Sequence, residues 1–164
     1  MKFGIIGAMD VEIEYIKSRM TDIRITENAH LIFYEGLLND KQIVVVKSGI
    51  GKVNAALCAQ ALILKFNVTH IINTGIAGAI DKCLRVLDTV VSNVCVYHDV
   101  DTTFFNDPIC TLPDMPTYFA SDSHLVEVAV EKAKQVCTYD VYTGRIASGD
   151  QFICSQEGKQ KLEE

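Results

Sequence analysis

The sequence has no excess of positive charge. Its 15 Lys and Arg residues stand against 21 Asp and Glu residues, which gives a formal net charge of −6, and the basic residues form no stripe. A protein that binds nucleic acid through the phosphates needs a basic surface. We therefore expect no nucleic-acid partner, whereas a nucleoside, which carries no phosphate, is compatible with this charge.

The sequence also lacks clustered metal ligands and long apolar runs. The six cysteines are scattered, with no C-x-x-C motif and no Cys/His cluster, so the spacing of a zinc site is absent and we expect no metal. No apolar run is long enough to span a bilayer, and charged residues follow the first apolar run too soon for a cleavable signal. We expect a cytoplasmic protein without a membrane partner, in which most cysteines are reduced core residues.

What the sequence does contain is an alternation of strand and helix patterns. Its 164 residues and 49% hydrophobic content suit a single domain over residues 1–164. Apolar and β-branched runs predict strands at 2–8, 22–29, 31–38, 41–47, 69–72, 86–98, 118–120 and 141–148. Helical spacing predicts helices at 10–20, 52–66, 121–136 and 155–164. This order predicts an α/β fold with a mostly parallel central sheet and a hairpin insertion that turns at Asn39 and Asp40.

Three local details of the helices follow from the same patterns. Asp10 is expected to cap the first helix and Ser121 the third, because short polar side chains accept hydrogen bonds from the first-turn amides. Ser155 is expected to start the last helix. The spacing of apolar residues in the second helix predicts an inward face made of Val53, Ala56, Leu57, Ala61 and Leu64.

Four strand ends are expected to meet at one edge of the sheet, at residues 7–12, 48–51, 73–79 and 148–153. The third of them belongs to the stretch THIINTGIAGAI, residues 69–80, whose glycines and alanines let a ligand approach the backbone. Open α/β sheets place their ligands at this edge, so the arrangement predicts a pocket for a small molecule.

The individual residues at these strand ends leave alternatives open. Glu12 is either a general base or a solvated carboxylate in the first turn of a helix. Phe152 and Ile153 either stack on a flat ring or pack in the core. His98 and Asp99 open a long loop, residues 99–117, that contains all three prolines and whose length is typical of a functional loop or of one that packs on a partner. The pattern that begins at Gly49 is a weak dinucleotide motif, because no acidic residue ends the next strand.

The segments GIIGAMDVEIE, KSGIGKVNAA, INTGIAGAI, VSNVCVYHDVD and SGDQFI together resemble bacterial 5′-methylthioadenosine/S-adenosylhomocysteine nucleosidases, of the purine nucleoside phosphorylase superfamily. The resemblance runs from Met1 to the end of the chain and implies a three-layer sandwich around a mostly parallel mixed central sheet. It implies hydrolysis of the N-glycosidic bond of 5′-methylthioadenosine, S-adenosylhomocysteine and 5′-deoxyadenosine in methionine salvage. It further implies a homodimer that binds a small-molecule nucleoside and needs no cofactor.

The resemblance also implies roles for particular residues. Glu12 matches the base that activates water. The positions that match substrate-binding residues are Met9, Ile50, Ala77, Gly78, Phe152 and Ile153. The positions that match the loop closing the pocket of the neighbouring subunit are Thr102, Phe105 and Pro113. Ile76 departs from the family, which often has a small or hydroxyl-bearing residue there, although a role for its backbone could survive.

Two features of the family have no match in these 164 residues: a Met-Glu pair that holds the ribose hydroxyls, and a Ser-Asp whose Asp protonates adenine. We therefore expect the fold to lack its C-terminal part. We expect the 164 residues alone to be inactive and poorly folded, or to be a fragment of a longer gene product. Three alternatives remain from the sequence: a nucleoside phosphorylase, a futalosine-type hydrolase, and a non-catalytic nucleoside-binding module.

Overall fold

The computed structural model describes residues 1–163, in two compact units that comprise residues 1–77 and the residues from 78 onward. Each unit is described by itself below. The fold is of the mixed α/β class, with four helices and mixed sheets, as the strand and helix patterns predict. That all 164 residues form one domain stays a prediction.

Unit 1 contains a five-stranded mixed sheet and two helices. The elements are β1 Lys2–Gly7, α1 Asp10–Ser18, β2 Thr21–Asn28, β3 Leu31–Leu38, β4 Lys41–Lys47, α2 Lys52–Phe66 and β5 His70–Asn73. The strand order is β2-β3-β4-β1-β5. β1 pairs in parallel with β4 and β5, whereas β3 pairs antiparallel with β2 and β4. The three parallel strands therefore end at the same edge.

The core of unit 1 lies on both faces of this sheet. Strands buried on both faces have near-continuous apolar sequences, and β4 has the run Ile43 to Val46, no residue of which is more than 3% exposed. One cluster joins the sheet to α2 through Val44, Val46, Cys58, Leu62 and Phe66, and the other joins it to α1 through Ile5, Ile13, Ile43 and Val45. Because full burial of one such aliphatic side chain contributes about 1.5–3 kcal/mol, the two clusters hold α1 and α2 against opposite faces.

The predicted inward face of α2 is wrong. Val53, Leu57 and Leu64 are 69%, 53% and 71% exposed, Ala56 is also exposed, and Ala61 is only partly buried. The buried residues of this helix are Cys58, Leu62 and Phe66. Apolar residues occur on nearly every side of α2, so their spacing could not indicate which side faces the sheet.

The local turn chemistry is partly as predicted. Asn39 and Asp40 have φ values of 47° and 62°, as a tight hairpin turn requires. Asp10 does not cap α1: it lies inside the helix, and Met9 holds the cap position. Ser121 does not cap the third helix either, because the Asp122 side chain accepts the bond from the Leu125 amide. In the third helix the cap is formed by the residue directly before the first helical one, because its carboxylate oxygen can reach the first-turn amides.

Unit 2 contains a three-stranded mixed sheet and two helices. The elements are β6 Thr89–Tyr97, β7 Phe119–Ala120, α3 Ser123–Val136, β8 Val141–Ser148 and α4 Gln156–Glu163. The strand order is β7-β6-β8, with β8 parallel and β7 antiparallel to β6. Ser155 accepts a hydrogen bond from the Gly158 amide at the start of α4, as predicted. Glu164, the last residue of the predicted helix, lies outside the described residues.

The six cysteines are all free thiols. Only Cys58 is buried, and burial raises its pKa to about 11, so it stays protonated at neutral pH. Cys83 and Cys154 are exposed, and the remaining three are half-buried. The expectation that most cysteines are core residues is therefore wrong, because an apolar neighbourhood in sequence did not ensure burial.

Crossing a bilayer requires a length and an apolar character that none of the helices within residues 1–163 has. Across the same residues, no three His, Cys, Asp or Glu side chains lie close enough together to hold a metal ion.

Candidate active site

The carboxyl edge of the sheet in unit 1 brings three loops together. Gly7 at the end of β1 is in register with Lys47 at the end of β4, and Ile6 is in register with Asn73 at the end of β5. The backbone continues this pairing beyond the strands. The Ser48 amide donates to the Gly7 carbonyl at 2.9 Å, and the Thr74 amide donates to the Ile6 carbonyl at 2.9 Å. The three strand ends of unit 1 therefore meet as the sequence predicts. That residues 148–153 join them stays a prediction.

Glu12 is held at this edge by two backbone amides. Its Oε2 accepts a hydrogen bond from the Met9 amide at 2.9 Å, and its Oε1 accepts one from the Ile76 amide at 3.1 Å. The first bond is half of a capping box, because Glu12 is the third residue of α1 and reaches back to the residue before it. The second joins α1 to the loop after β5. Both carboxylate oxygens are thereby fixed at the positive end of the helix dipole.

This geometry suits a proton acceptor. An ionised carboxylate has about four lone-pair positions on its two oxygens, so two amide donors leave further positions for a water molecule. The side chain is half-buried rather than enclosed, which leaves it accessible from the loop side. The alternative of a freely solvated first-turn carboxylate does not describe Glu12, whose two oxygens both accept backbone hydrogen bonds.

The loop after β4 is a tight turn that exposes Ile50. Gly49 and Gly51 have φ values of 82° and 105°, which residues with a Cβ rarely adopt. Ser48 is 4% exposed and its hydroxyl donates to the Gly49 carbonyl at 2.9 Å. The Asn54 amide group donates to the Ile50 carbonyl at 2.7 Å, and the Ile50 side chain is 77% exposed. Asn54, in the third position of the glycine pattern, fastens the turn.

Asp10 has a partner that the sequence did not indicate. Its Oδ2 accepts a hydrogen bond from the Lys47 Nζ at 2.8 Å, which ties the first turn of α1 to the end of β4. This hydrogen bond lowers the pKa of the Asp10 carboxyl below its ordinary value, and the positive charge of Lys47 adds to the effect. Because both side chains are largely exposed, the ion pair is a modest support for the helix start.

At the carboxyl edge of the sheet in unit 2, hydrogen bonds join the residues after β6 to those after β8. The His98 amide donates to the Ser148 carbonyl at 3.1 Å, and the Asp150 amide donates to Asp99 Oδ2 at 2.7 Å. The residues that follow β8 are thereby held beside those that follow β6. Phe152 follows two residues after Asp150 and is 93% exposed, so the alternative that it packs in the core is wrong. Ile153 is half-buried.

The loop of residues 99–117 is fastened by its own hydrogen bonds. The Thr102 hydroxyl donates to the Thr111 carbonyl at 2.6 Å, and the Cys110 amide donates to the Val100 carbonyl at 3.0 Å. A single 3₁₀ turn, Thr103–Phe105, lies within it. Phe105 is 68% exposed and Pro113 is also exposed. The loop thus has a defined shape and presents apolar side chains to its surroundings.

The remaining predicted positions lie at the junction of the two units. Ala77 is the last residue of unit 1 and Gly78 the first of unit 2, and both are exposed. A Cβ built on Gly78 would meet none of the described atoms within 4 Å. These small residues therefore leave open backbone, as their types predict.

Sequence reasoning did not assign the Ile76 amide as a partner of Glu12, nor the Asp99 carboxylate as a partner of Asp150. Backbone amides carry no residue-type pattern, so the first was not visible at all. The second was indicated only by its place at a strand end. A hollow of about 340 Å³ lies at the opposite edge of unit 1 and is lined by Lys2, Glu35 and Gln42 among others, of which Lys2 and Glu35 form an ion pair.

Residues 2–164 match the family model of the phosphorylase superfamily. The chain is 47% identical over 152 residues to the 5′-methylthioadenosine/S-adenosylhomocysteine nucleosidase of Staphylococcus haemolyticus. The aligned region covers 93% of this chain and 66% of that protein. It is 42% identical over 159 residues to the nucleosidase of the same name from Staphylococcus saprophyticus. This aligned region covers 97% of this chain and 69% of that protein. The chain thus spans about two thirds of the length of these curated relatives.

Two solved structures have the same backbone arrangement. The 5′-methylthioadenosine/S-adenosylhomocysteine nucleosidase from Neisseria meningitidis, in complex with methylthio-immucillin-A, superposes with a TM-score of 0.96 at 38% identity and covers 99% of this chain and 70% of its own. The enzyme of the same name from Colwellia psychrerythraea, in complex with adenine, superposes with a TM-score of 0.96 at 42% identity and covers 99% of this chain and 68% of its own.

Proposed function

The chain belongs to the 5′-methylthioadenosine/S-adenosylhomocysteine nucleosidases of the phosphorylase superfamily, and we propose that its protein hydrolyses the N-glycosidic bond of 5′-methylthioadenosine and S-adenosylhomocysteine. The same reaction on 5′-deoxyadenosine is included in the proposal. The observation that carries it is the Glu12 carboxylate, held by the Met9 and Ile76 amides at the carboxyl edge of the sheet. The presence of adenine and of methylthio-immucillin-A in solved relatives supports the substrate class.

In the proposed reaction, a water molecule attacks C1′ of the ribose while the bond from C1′ to N9 of adenine breaks. The bonding electron pair leaves with adenine, which takes up a proton. Glu12 accepts the proton that the water loses, and its negative charge stabilises the positive charge that develops on the sugar ring. A carboxylate with both oxygens already oriented can perform both roles without first rearranging.

The proposed substrate contacts are those that the family resemblance implies. Met9 and Ile50 would line the ribose and the alkylthio group, and the exposure of Ile50 supports this role. The open backbone at Ala77 and Gly78 supports a close approach of the nucleoside. Phe152 would stack on adenine through its exposed ring, and Ile153 would present its backbone to the edge of the base.

A homodimer is part of the proposal. Thr102, Phe105 and Pro113 would close the 5′ end of the pocket of a second subunit. The support is that Thr102 fastens the loop while the side chains of Phe105 and Pro113 stay exposed. We also propose a cytoplasmic location, supported by six free cysteines, and a role in methionine salvage, in which these thioether nucleosides are consumed.

The proposal is tested by measuring adenine release from 5′-methylthioadenosine in buffer without phosphate, with the whole gene product, because the 164 residues alone are expected to be inactive. Replacement of Glu12→Gln keeps the shape of the side chain but removes the proton acceptor, so we expect the rate of adenine release to fall by about 10²- to 10⁴-fold. Glu14→Gln, an exposed residue of the same helix, is the matched control and is expected to keep the original rate.

The other candidate functions are separate outcomes of this assay. Adenine release that requires phosphate and yields a sugar phosphate would identify a phosphorylase. Turnover of futalosine but not of methylthioadenosine would identify the related hydrolase. Binding of adenine in a calorimeter without any turnover would identify a nucleoside-binding module, and any of these results would replace the proposed hydrolysis.

A further inference from the structure

Gly75 leaves the space that the Glu12 carboxylate occupies. A Cβ built on Gly75 would lie 2.5 Å from Glu12 Oε1, 2.9 Å from Cδ and 3.3 Å from Oε2. Atoms that are not bonded to each other do not approach this closely, so a side chain at position 75 and the observed position of the carboxylate exclude each other. We propose that Gly75 is a positioning residue for the proposed hydrolysis, because its missing side chain lets Glu12 reach the Ile76 amide.

The backbone conformation does not account for a glycine at this position. In unit 1 the glycines with positive φ are Gly49 and Gly51, and Gly75 is not among the residues with positive φ. The φ of Gly75 therefore does not require a glycine. What glycine supplies here is room beside a particular side chain.

Other glycines of unit 1 show why this one is different. A Cβ on Gly36 would lie 2.6 Å from the backbone carbonyl oxygen of Thr21, and a Cβ on Gly7 would lie 2.7 Å from the buried Ile13 side chain. At both positions the fold itself would have to move. At Gly75 the three nearest atoms all belong to the end of the Glu12 side chain, which can rotate away through its own torsion angles.

A methyl group at position 75 displaces the carboxylate and breaks its bond to the Ile76 amide, but it leaves the strands and the core in place. The exposed amide can bond to water instead, so the fold loses little. The base, however, moves by about 1 Å or more, a displacement that typically reduces turnover about 100-fold.

Gly75→Ala tests the inference in the assay for adenine release. We expect kcat to fall about 100-fold with little change in KM, and Tm to fall by less than about 5 °C. Gly36→Ala is the contrasting variant: it is expected to lower Tm by about 10 °C or more while the folded fraction keeps its kcat. Gly144→Ala, whose Cβ would meet only an ordinary contact of 3.5 Å with Val90, is expected to change neither quantity.

A double variant shows whether Gly75 acts through Glu12. Glu12→Asp shortens the acid by one methylene group and withdraws it from position 75, so adding Gly75→Ala to it is expected to reduce kcat by less than about threefold further. An equal loss in both backgrounds would mean that position 75 acts independently of Glu12 and would overturn the inference.

The amide resonance of Met9 provides a readout that does not depend on activity. Met9 lies far from position 75 in sequence, and its amide bonds to Glu12 Oε2. In Gly75→Ala this resonance is expected to shift in the same direction as in Glu12→Ala, while the Ser48 amide, which bonds to Gly7, keeps its position. An unchanged Met9 resonance, or a wild-type kcat, would overturn the inference.

The inference rests on the proposed function, and the measurements keep the two apart. If the whole gene product without substitutions releases no adenine, the proposed function fails while the Met9 resonance still reports on the placement of Glu12. If the unmodified protein is active and Gly75→Ala is equally active, the role of Gly75 fails and the hydrolysis stands.

Discussion

At the carboxyl edge of each sheet, a backbone amide that follows one strand donates a hydrogen bond to a carboxylate that follows another strand. In unit 1 the Ile76 amide, after β5, bonds to Glu12, after β1; in unit 2 the Asp150 amide, after β8, bonds to Asp99, after β6. In each case a glycine directly precedes the amide. The difference is that Glu12 lies in the first turn of a helix and also accepts a hydrogen bond from the Met9 amide, whereas Asp99 lies in the bend that begins the loop of residues 99–117.

The surroundings of Glu12 and Asp99 differ in ways that bear on which carboxylate could accept a proton from a substrate water. Glu12 lies at the positive end of the α1 dipole and reaches the loop through a flexible side chain. Asp99 has a shorter side chain and starts a loop that is bound by hydrogen bonds of its own. We therefore interpret the first tie as placing a proton acceptor and the second as fixing the path of the chain.

The largest expected effect that tests this difference is a loss of stability from a substitution in unit 2. A Cβ on Gly149 would lie 2.5 Å from the His98 ring and 2.8 Å from Asp99 Cγ, so Gly149→Ala must move a ring and a bonded carboxylate together. We expect a loss of about 1–3 kcal/mol in the free energy of unfolding, measured by urea denaturation.

Gly75→Ala is the matched variant in unit 1, because its Cβ would meet an equally short contact. A loss of stability at Gly75 as large as that at Gly149 would show that both glycines support the fold and that the two edges do not differ.

A smaller effect is expected from the acceptor in unit 2. Asp99→Ala leaves the Asp150 amide without this partner, and we expect a loss of about 0.5–1.5 kcal/mol. Asp99→Asn is the control, since its carbonyl oxygen can still accept the bond and should retain most of the stability. Circular dichroism during denaturation measures both. If Asp99→Asn lost as much as Asp99→Ala, the negative charge rather than the hydrogen bond would be what matters.

The smallest effect is expected from the ion pair that supports the start of α1. Lys47→Met removes the partner of Asp10 and should lower Tm slightly at neutral pH. The pKa of Asp10 is lowered in the folded protein, so its contribution is present above the ordinary value of 3.8 and is lost as the pH falls through the lowered value. The difference in Tm should therefore disappear in acid.

Lys41→Met, at the exposed start of β4, is the control for the loss of a lysine and should leave Tm unchanged at both pH values. A difference between Lys47→Met and the unmodified protein that persisted in acid would exclude the ion pair as its cause.

Much of the fold was predictable from sequence because periodicity carries it. The ranges 31–38, 41–47, 52–66 and 141–148 match β3, β4, α2 and β8 residue for residue. The predicted strand at 86–98 begins three residues early, since residues 86–88 form part of a turn in which Leu87 has a φ of 79°. The caps were less predictable, because neighbouring polar residues such as Ser121 and Asp122 compete for one position.

The candidate site was predictable in its side chains and not in its backbone partners. Glu12 and Phe152 are recognisable from residue type, place in the chain and family motif. The Ile76 amide is not, since a backbone amide that donates a hydrogen bond carries no residue-type pattern. The exposure of Phe152 was likewise left open by the sequence, because an apolar pair at a strand end is compatible with core packing.

By itself the sequence determined the succession of strands and helices, the convergence of the three strand ends of unit 1 and the family to which the chain belongs. These depend on local periodicity and on short motifs, which a linear chain records directly. Only the tertiary structure decided which side of α2 is buried, that Asp10 pairs with Lys47, and that Gly75 makes room for Glu12. The two contacts join residues that are 37 and 63 positions apart in the chain, and only folding brings such residues together. The buried side of α2 depends on how the helix packs against the sheet, which local sequence does not record.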